Sequence, residues 1–294
     1  MDIRELRYFV QIAKDHSYTN AAKHLYVSQP ALSKIIKKLE VEFEVKLFEV
    51  HNNKVYLTDY GKYLYGKAVS LLNDFDSLMN FTNDIKKEKK GNIRIGITPM
   101  ITALWLVDII VDFSNLYPQI TFDLQEGGSK TIREEVKSGN LDIGICITGR
   151  EKDELNETVL LRDKFVVCTD TNNPISHKKA VKFSELKSEV LNFYSSSSAL
   201  YENIELHCIQ AGYKPKINFT SSKIEILMQF SAKGKGICII PRPYAEKFKV
   251  KNLILVPLDS DLSWEPCIII NNKIYQSYVA KLFLDYVKQR FNIK

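Results

Sequence analysis

Residues 5–50 read ELRYFVQIAKDHSYTNAAKHLYVSQPALSKIIKKLEVEFEVKLFEV, and their pattern decides how the rest of the chain is read. Ile3, Leu6, Phe9, Val10 and Ala13 recur at helical spacing, which predicts an amphipathic helix ended by His16 and Ser17. A short second helix follows, with Thr19 as its N-cap and Ala21, Ala22 and Leu25 inward; the small alanines let two steeply crossing helices approach closely. Tyr18, just before that cap, is placed to staple the helix start. Ser28 is a good N-cap, and Pro30 suits a first turn, where its missing N–H has no partner to lose. The helix opened there keeps Leu32, Ile35, Ile36, Leu39 and Phe43 on one face and Gln29, Ser33, Lys34 and Lys37 on the other, with Lys38 beside them. Two short helices joined by a turn of about three residues, the second polar and cationic outside, meet the needs of a recognition helix. Amides and hydroxyls reach base edges while lysines meet flanking phosphates. An ordinary solvated helix surface is the competing reading. The downstream pattern weighs against it: Lys46–Val50 reads as a short strand, His51-Asn52-Asn53-Lys54 as a polar turn and Val55-Tyr56-Leu57 as the returning strand. That hairpin is a wing with Lys54 near its tip.

The same stretch, continued through VYLTDYGKYL, is similar to the N-terminal signature of LysR-type transcriptional regulators. The resemblance is carried by Leu6, Phe9, Ser17, Thr19, Ala21-Ala22, Leu25, Ser28-Gln29-Pro30-Ala31-Leu32-Ser33, Leu39-Glu40, Leu47-Phe48 and Leu57-Thr58. It implies DNA contacts at Gln29, Pro30, Ser33, Lys34 and Lys37; Thr19, Ser28 and Lys54 complete the expected DNA-binding set. Two departures stand out. Phe43-Glu44 replaces the family's usual Leu-Gly at the turn into the wing, and Val50 replaces an arginine that contacts phosphate in relatives.

Residues 58–90 predict a linker helix, with Thr58 as N-cap and Asp59 near its positive end. Leu64, Ala68, Leu71, Phe75, Leu78, Thr82 and Ile85 alternate in steps of four and three, a heptad seam with one polar position. The seam either packs on its own domain or meets a second copy of the chain; a two-fold dimer supplies two recognition helices for two half-sites. Leu64, Ala68, Leu71, Phe75 and Leu78 are therefore the candidate dimerisation residues. The run Lys86-Lys87-Glu88-Lys89-Lys90 reads as a solvated hinge.

From residue 91 onward, apolar strands alternate with helical patterns: strands near Asn92–Thr98, Ile120–Leu124 and Leu141–Ile147, then a second unit from Leu160. This alternation predicts parallel sheets with crossover helices. Two such lobes joined by two crossings resemble periplasmic solute-binding proteins and match the effector domain of the LysR family. The expected organisation is α/β overall: a winged helix-turn-helix (1–57), a linker and dimerisation helix (58–90) and a two-lobed α/β effector domain (91–294). Lobe 1 spans about 91–160 and 267–294 and lobe 2 about 161–266. In open sheets, ligands sit where strands end and helices begin. That rule selects Thr98, Met100, Ser129, Ile147 and Thr148 from lobe 1, and Tyr194 with Ser195, Ser196 and the serines through Ser198 from lobe 2. Helix N-termini and hydroxyls suit a small carboxylate, although each hydroxyl also serves as an ordinary cap.

Composition bounds the alternatives. The chain has 294 residues, 45% hydrophobic and 26% charged, which is long and apolar enough for more than one core. Lys and Arg number 41 against 35 Asp and Glu, a net charge of +6 that is compatible with DNA without demanding it. The start MDIRELRYFV is no secretory signal, and no run approaches the ~18 apolar residues of a membrane span, so a cytoplasmic protein is expected. Five scattered cysteines without a CxxC or His/Cys cluster predict reduced core thiols and no metal. GxSxG, Walker and HExxH motifs are absent and the five histidines are dispersed, so an enzyme is not expected. A small-molecule-binding protein without DNA regulation explains residues 91–294 but not the first 57. The resemblance implies a homodimer or homotetramer on double-stranded DNA, a small-molecule effector in place of a cofactor, RNA polymerase as a further partner and no membrane.

Overall fold

A computed structural model of the chain describes residues 1–51, 54–85, 88–149, 154–196 and 198–293, with backbone alone at Ser77 and residues 80–85. The expected Asn52-Asn53 turn, the Lys86-Lys87 pair, Ser197 and the side chains of Thr82 and Ile85 lie outside the described residues. The chain divides into two compact units, one built on Met1–Glu88 and one on Lys89–Lys137, Leu141–Ile274 and Tyr278–Lys294.

The first unit runs α1 (Ile3–Asp15), α2 (Tyr18–His24), α3 (Gln29–Phe43), β1 (Phe48–His51), β2 (Lys54–Leu57) and α4 (Asp59–Ile85). Asp2 and Glu5 close a capping box at the start of α1. The cap of α2 is Ser17 rather than Thr19. Ser17 is extended (φ −160°) and its Oγ accepts the Asn20 N–H at 3.3 Å, so Tyr18 and Thr19 already lie inside the helix. Leu6, Phe9, Ile12, Ala21, Leu32 and Leu39 share one core. The wing begins at Phe48, two residues later than the apolar pattern predicts. Glu40 is the reason: its Oε1 accepts the Leu47 N–H at 2.9 Å and its Oε2 holds Lys46 Nζ at 2.8 Å, tying the chain to α3 before the ladder starts. β1 and β2 then pair antiparallel, with Phe48 opposite Leu57.

Thr58 caps α4, its Oγ1 accepting the Gly61 N–H at 3.0 Å. The expected seam is split. Leu64 and Ala68 pack into the core of their own unit, and the inward line continues to Leu72 rather than Leu71. Leu71 and Leu78 are exposed, together with Met79, and Phe75 is half-buried. A straight helix drifts off a seven-residue repeat, so the four-residue steps facing the core part company with the heptad line after Ala68.

The second unit contains β3 (Gly91–Ile97), α5 (Pro99–Ile101), a π-helical turn (Thr102–Leu106), α6 (Val107–Leu116), β4 (Ile120–Glu126), α7 (Ser129–Lys137), β5 (Ile143–Ile147) and β6 (Asn156–Val159). It continues through β7 (Phe165–Asp170), β8 (Val190–Tyr194), α8 (Ala199–Gln210), β9 (Lys216–Ser221), α9 (Ile224–Ala232), β10 (Cys238–Pro241), α10 (Arg242–Lys247), β11 (Leu253–Pro257), β12 (Pro266–Ile270) and α11 (Tyr278–Arg290). Lobe 1 is a five-stranded sheet, β4-β3-β5-β12-β6. Phe113 of α6 and Phe283 of α11 meet edge-on at 5.0 Å, while Ile132 and Val136 of α7 pack with Cys146, Cys267 and Ile269. Lobe 2 has the sheet β10-β7-β11 beside the pair β8-β9.

The expectation of wholly parallel sheets needs correction. β3 runs parallel to β4 and β5, and β8 to β9, but β12 is antiparallel to β5 and β6, and β7 is antiparallel to β10 and β11. A strand that re-enters a lobe from the other one needs no crossover helix, so nothing obliges it to run parallel. Where the two crossings pass, Asp163 and Trp264 exchange backbone hydrogen bonds of 3.0 and 2.8 Å. Trp264 is fully buried, its ring 5.4 Å from that of Trp105.

The helical run Pro99–Leu116 is, by length and composition alone, apolar enough to cross a membrane, contrary to the sequence expectation. Ile101, Leu104, Leu106, Ile109 and Phe113 of that run are buried in the core. All five cysteines are buried and free, and Cys146 lies opposite Cys267 as Cys168 lies opposite Cys238.

Candidate functional site

Two surfaces carry the chemistry, one on each unit. On the first, the Ser28 hydroxyl accepts the Ala31 N–H at 3.4 Å, so α3 begins at Gln29 with that side chain projecting from its first turn. Gln29, Pro30, Lys34 and Lys37 are exposed and Ser33 is half-buried, so one face of α3 holds an amide, a hydroxyl and two ammonium groups. Lys38 differs. Its Nζ sits 2.6 Å from Glu5 Oε1. That hydrogen bond raises the lysine's pKa and lowers the carboxyl's, and it commits the ammonium to the protein. Thr19 is exposed on α2, the helix before α3. Lys54 is exposed at the start of β2, opposite His51. Val50 is 63% exposed on β1, so the position for which the family resemblance implies an arginine faces solvent with no charge.

Sequence reasoning passed over Tyr26. It occupies the turn between α2 and α3 in a left-handed conformation (φ 54°) and is 96% exposed. A large aromatic inside the four-residue helix-turn-helix connection, residues 25–28, was the available signal.

On the second unit a cavity of about 310 Å³ opens between the lobes. Of the residues selected from strand ends, the structure brings together Thr98, Met100, Ser129, Ile147, Tyr194 and Ser195 on its wall; Ser198 also lines it, whereas Thr148 and Ser196 do not. Thr98 follows β3 and is only 9% exposed, yet among the described residues its Oγ1 has no hydrogen-bond partner, and it does not cap α5. Ser129 Oγ accepts the Ile147 N–H at 3.3 Å, leaving its own proton for a ligand. Tyr194 donates to the Ile239 carbonyl at 3.2 Å, and burial pushes its phenol well above the usual range, so it stays neutral. Ser198 caps α8 by accepting the Leu200 N–H at 3.3 Å. Sequence reasoning missed Glu126, at the end of β4, and Ser222 with Ile224, at the β9–α9 junction. The strand-end rule applied to the β9–α9 junction as well finds the latter pair.

A winged helix-turn-helix together with a two-lobed domain that encloses a small-molecule cavity defines a ligand-responsive DNA-binding regulator. The comparisons agree. The LysR substrate binding domain matches residues 86–292, and the bacterial regulatory helix-turn-helix of the lysR family matches residues 3–62. The chain is 32% identical over 289 residues to YwbI of Bacillus subtilis, an uncharacterized HTH-type transcriptional regulator, covering 98% of this chain and 96% of that protein. It is 29% identical over 291 residues to the HTH-type transcriptional regulator BenM of Acinetobacter baylyi, covering 96% and 94%. A full-length OxyR variant from Pseudomonas aeruginosa superposes with a TM-score of 0.77 over 99% of this chain and 95% of that one; at 20% identity this is a likeness of fold. The chain belongs to the LysR family of DNA-binding transcriptional regulators and carries that family's effector-binding domain.

Proposed function

We propose that Gln29, Ser33 and Lys34 of α3 read and clamp the major groove, with Pro30, Lys37, Ser28 and Thr19 flanking them and Lys54 reaching from the wing. The observation that carries this is the exposed amide-and-ammonium face of α3, aimed by the Ser28 cap. The organisation is 1–57 for DNA, 58–90 for pairing and 91–294 for the effector. Leu71 and Leu78, exposed on α4, are the part of the seam left for a second copy; Phe75 lies between them, and Leu64 and Ala68 hold α4 on its own unit. Two copies or a pair of such dimers sit on an inverted repeat in the cytoplasm, with RNA polymerase as the further partner. A small carboxylate in the cavity favours one lobe arrangement and so alters half-site spacing. DNase protection on DNA upstream of the neighbouring gene tests the reading. It expects two protected half-sites separated by a multiple of one helical turn, and a single half-site contradicts it. If a carboxylate that raises the protein's melting temperature leaves protection and bending unchanged, the switch is wrong.

Val50→Arg gives a separate expectation. A guanidinium on the exposed wing strand adds a phosphate contact, so affinity rises several-fold and the salt dependence steepens by about 0.9 in slope. Unchanged affinity and slope in a gel-shift salt series would show that the wing stands clear of the backbone.

A further inference from the structure

The charges around the cavity are not those that a plain carboxylate uses. Among the described residues, no lysine, arginine or histidine lines it. Its attraction for negative charge comes instead from the N-termini of α7, α8 and α9, helices of 9, 12 and 9 residues that open onto it through Ser129, Ser198 and Ile224. Thr98 adds the second sign of a ligand: a hydroxyl on a residue only 9% exposed, with its Oγ1 unpartnered on the cavity wall. Buried polar groups are normally paired, so this one is kept for a bound molecule.

The same wall also carries Glu126, whose carboxylate makes no ion pair among the described residues. An anion alone would be repelled by it. A molecule with an ammonium beside its carboxylate satisfies both features at once. We propose that the cavity takes a small zwitterion, an α-amino acid with an aliphatic side chain. Its carboxylate lies on Thr98 Oγ1 and the helix N-termini, its ammonium on Glu126, and its side chain among Met100, Ile147 and Leu200. A volume of about 310 Å³ suits a ligand of that size. This inference rests on the reading of the cavity as the effector site.

The test is calorimetric titration of the full-length protein with aliphatic L-amino acids and their matched 2-keto acids, which keep the carboxylate and lose the ammonium. An amino acid binds at least about tenfold more tightly than its keto acid, as expected for one charge-assisted hydrogen bond. Glu126→Gln weakens the amino acid by about that factor and leaves the keto acid unchanged or tighter. Thr98→Val weakens both. If the keto acid binds as well as the amino acid, or Glu126→Gln changes neither, the zwitterion is overturned while the cavity stands as a carboxylate site. If binding is indifferent to Thr98→Val, or neither class binds, the zwitterion and the carboxylate reading of this cavity fall together.

Discussion

Gly236→Ala lowers the stability of the effector domain by about 3 kcal/mol or more, the sum of a strained backbone and a steric clash. Gly236 has φ +94°, and a Cβ built on it stands 2.4 Å from the Val190 carbonyl oxygen. That oxygen already accepts the Ile237 N–H at 2.9 Å, one of the bonds that hold β10 beside β8. A methyl group can enter only by breaking this contact, and Asn192, whose N–H bonds the Ile237 carbonyl at 2.8 Å, moves with it. Gly212 supplies the control. Its φ is +87° but nothing lies within 4 Å of its would-be Cβ, so Gly212→Ala carries the backbone strain alone, about 1 kcal/mol. Urea melts of the two variants separate the terms. Equal losses would mean that β8 yields to the methyl group.

Gln29→Ala and Lys34→Ala both weaken specific DNA binding by about tenfold or more, for different reasons. Gln29 stands at the first turn of α3, where an amide can pair with a base edge; its loss removes discrimination and leaves non-specific binding intact. Lys34 is exposed on the outer face of α3, and on the proposed reading its charge meets phosphate, so its loss weakens binding to all sequences and lowers the salt slope by about one. Lys38 lies one helical turn further on and is equally cationic, but it is held at 2.6 Å by Glu5. Lys38→Ala therefore leaves the salt slope nearly unchanged and loosens the packing of α3 on α1.

How much of this was legible in the sequence depended on whether a local rule or a tertiary contact decided the matter. Ser28 and Pro30 opened α3 as capping chemistry requires, because nothing nearby competes. At α2 two hydroxyls compete within three residues, and the extended backbone at Ser17 decides between them, which composition does not reveal. The four-three spacing on α4 was read correctly as apolar, but it does not say which turns face their own domain; the nearby helix-turn-helix core claims Leu64 and Ala68. β6 reads Asn-Glu-Thr-Val, too polar and short for an apolar pattern, and is recruited only by its neighbour β12. Strand direction escaped for a related reason: a buried strand looks alike either way up. In the cavity, the strand-end rule found Thr98, Ser129, Tyr194, Ser195 and Ser198, whereas Glu126 looked like a turn residue until β4 was seen to run through it.

The most direct test of the central claim is a gel-shift titration on DNA from upstream of the neighbouring gene, at several salt concentrations, comparing the wild type with Gln29→Ala and Lys34→Ala. The expected result is a specific wild-type complex that weakens steeply with salt, loses its sequence preference with Gln29→Ala and has its salt slope lowered by about one with Lys34→Ala. A specific complex that neither substitution disturbs would contradict the claim, because the DNA would then be read by a surface other than the outer face of α3.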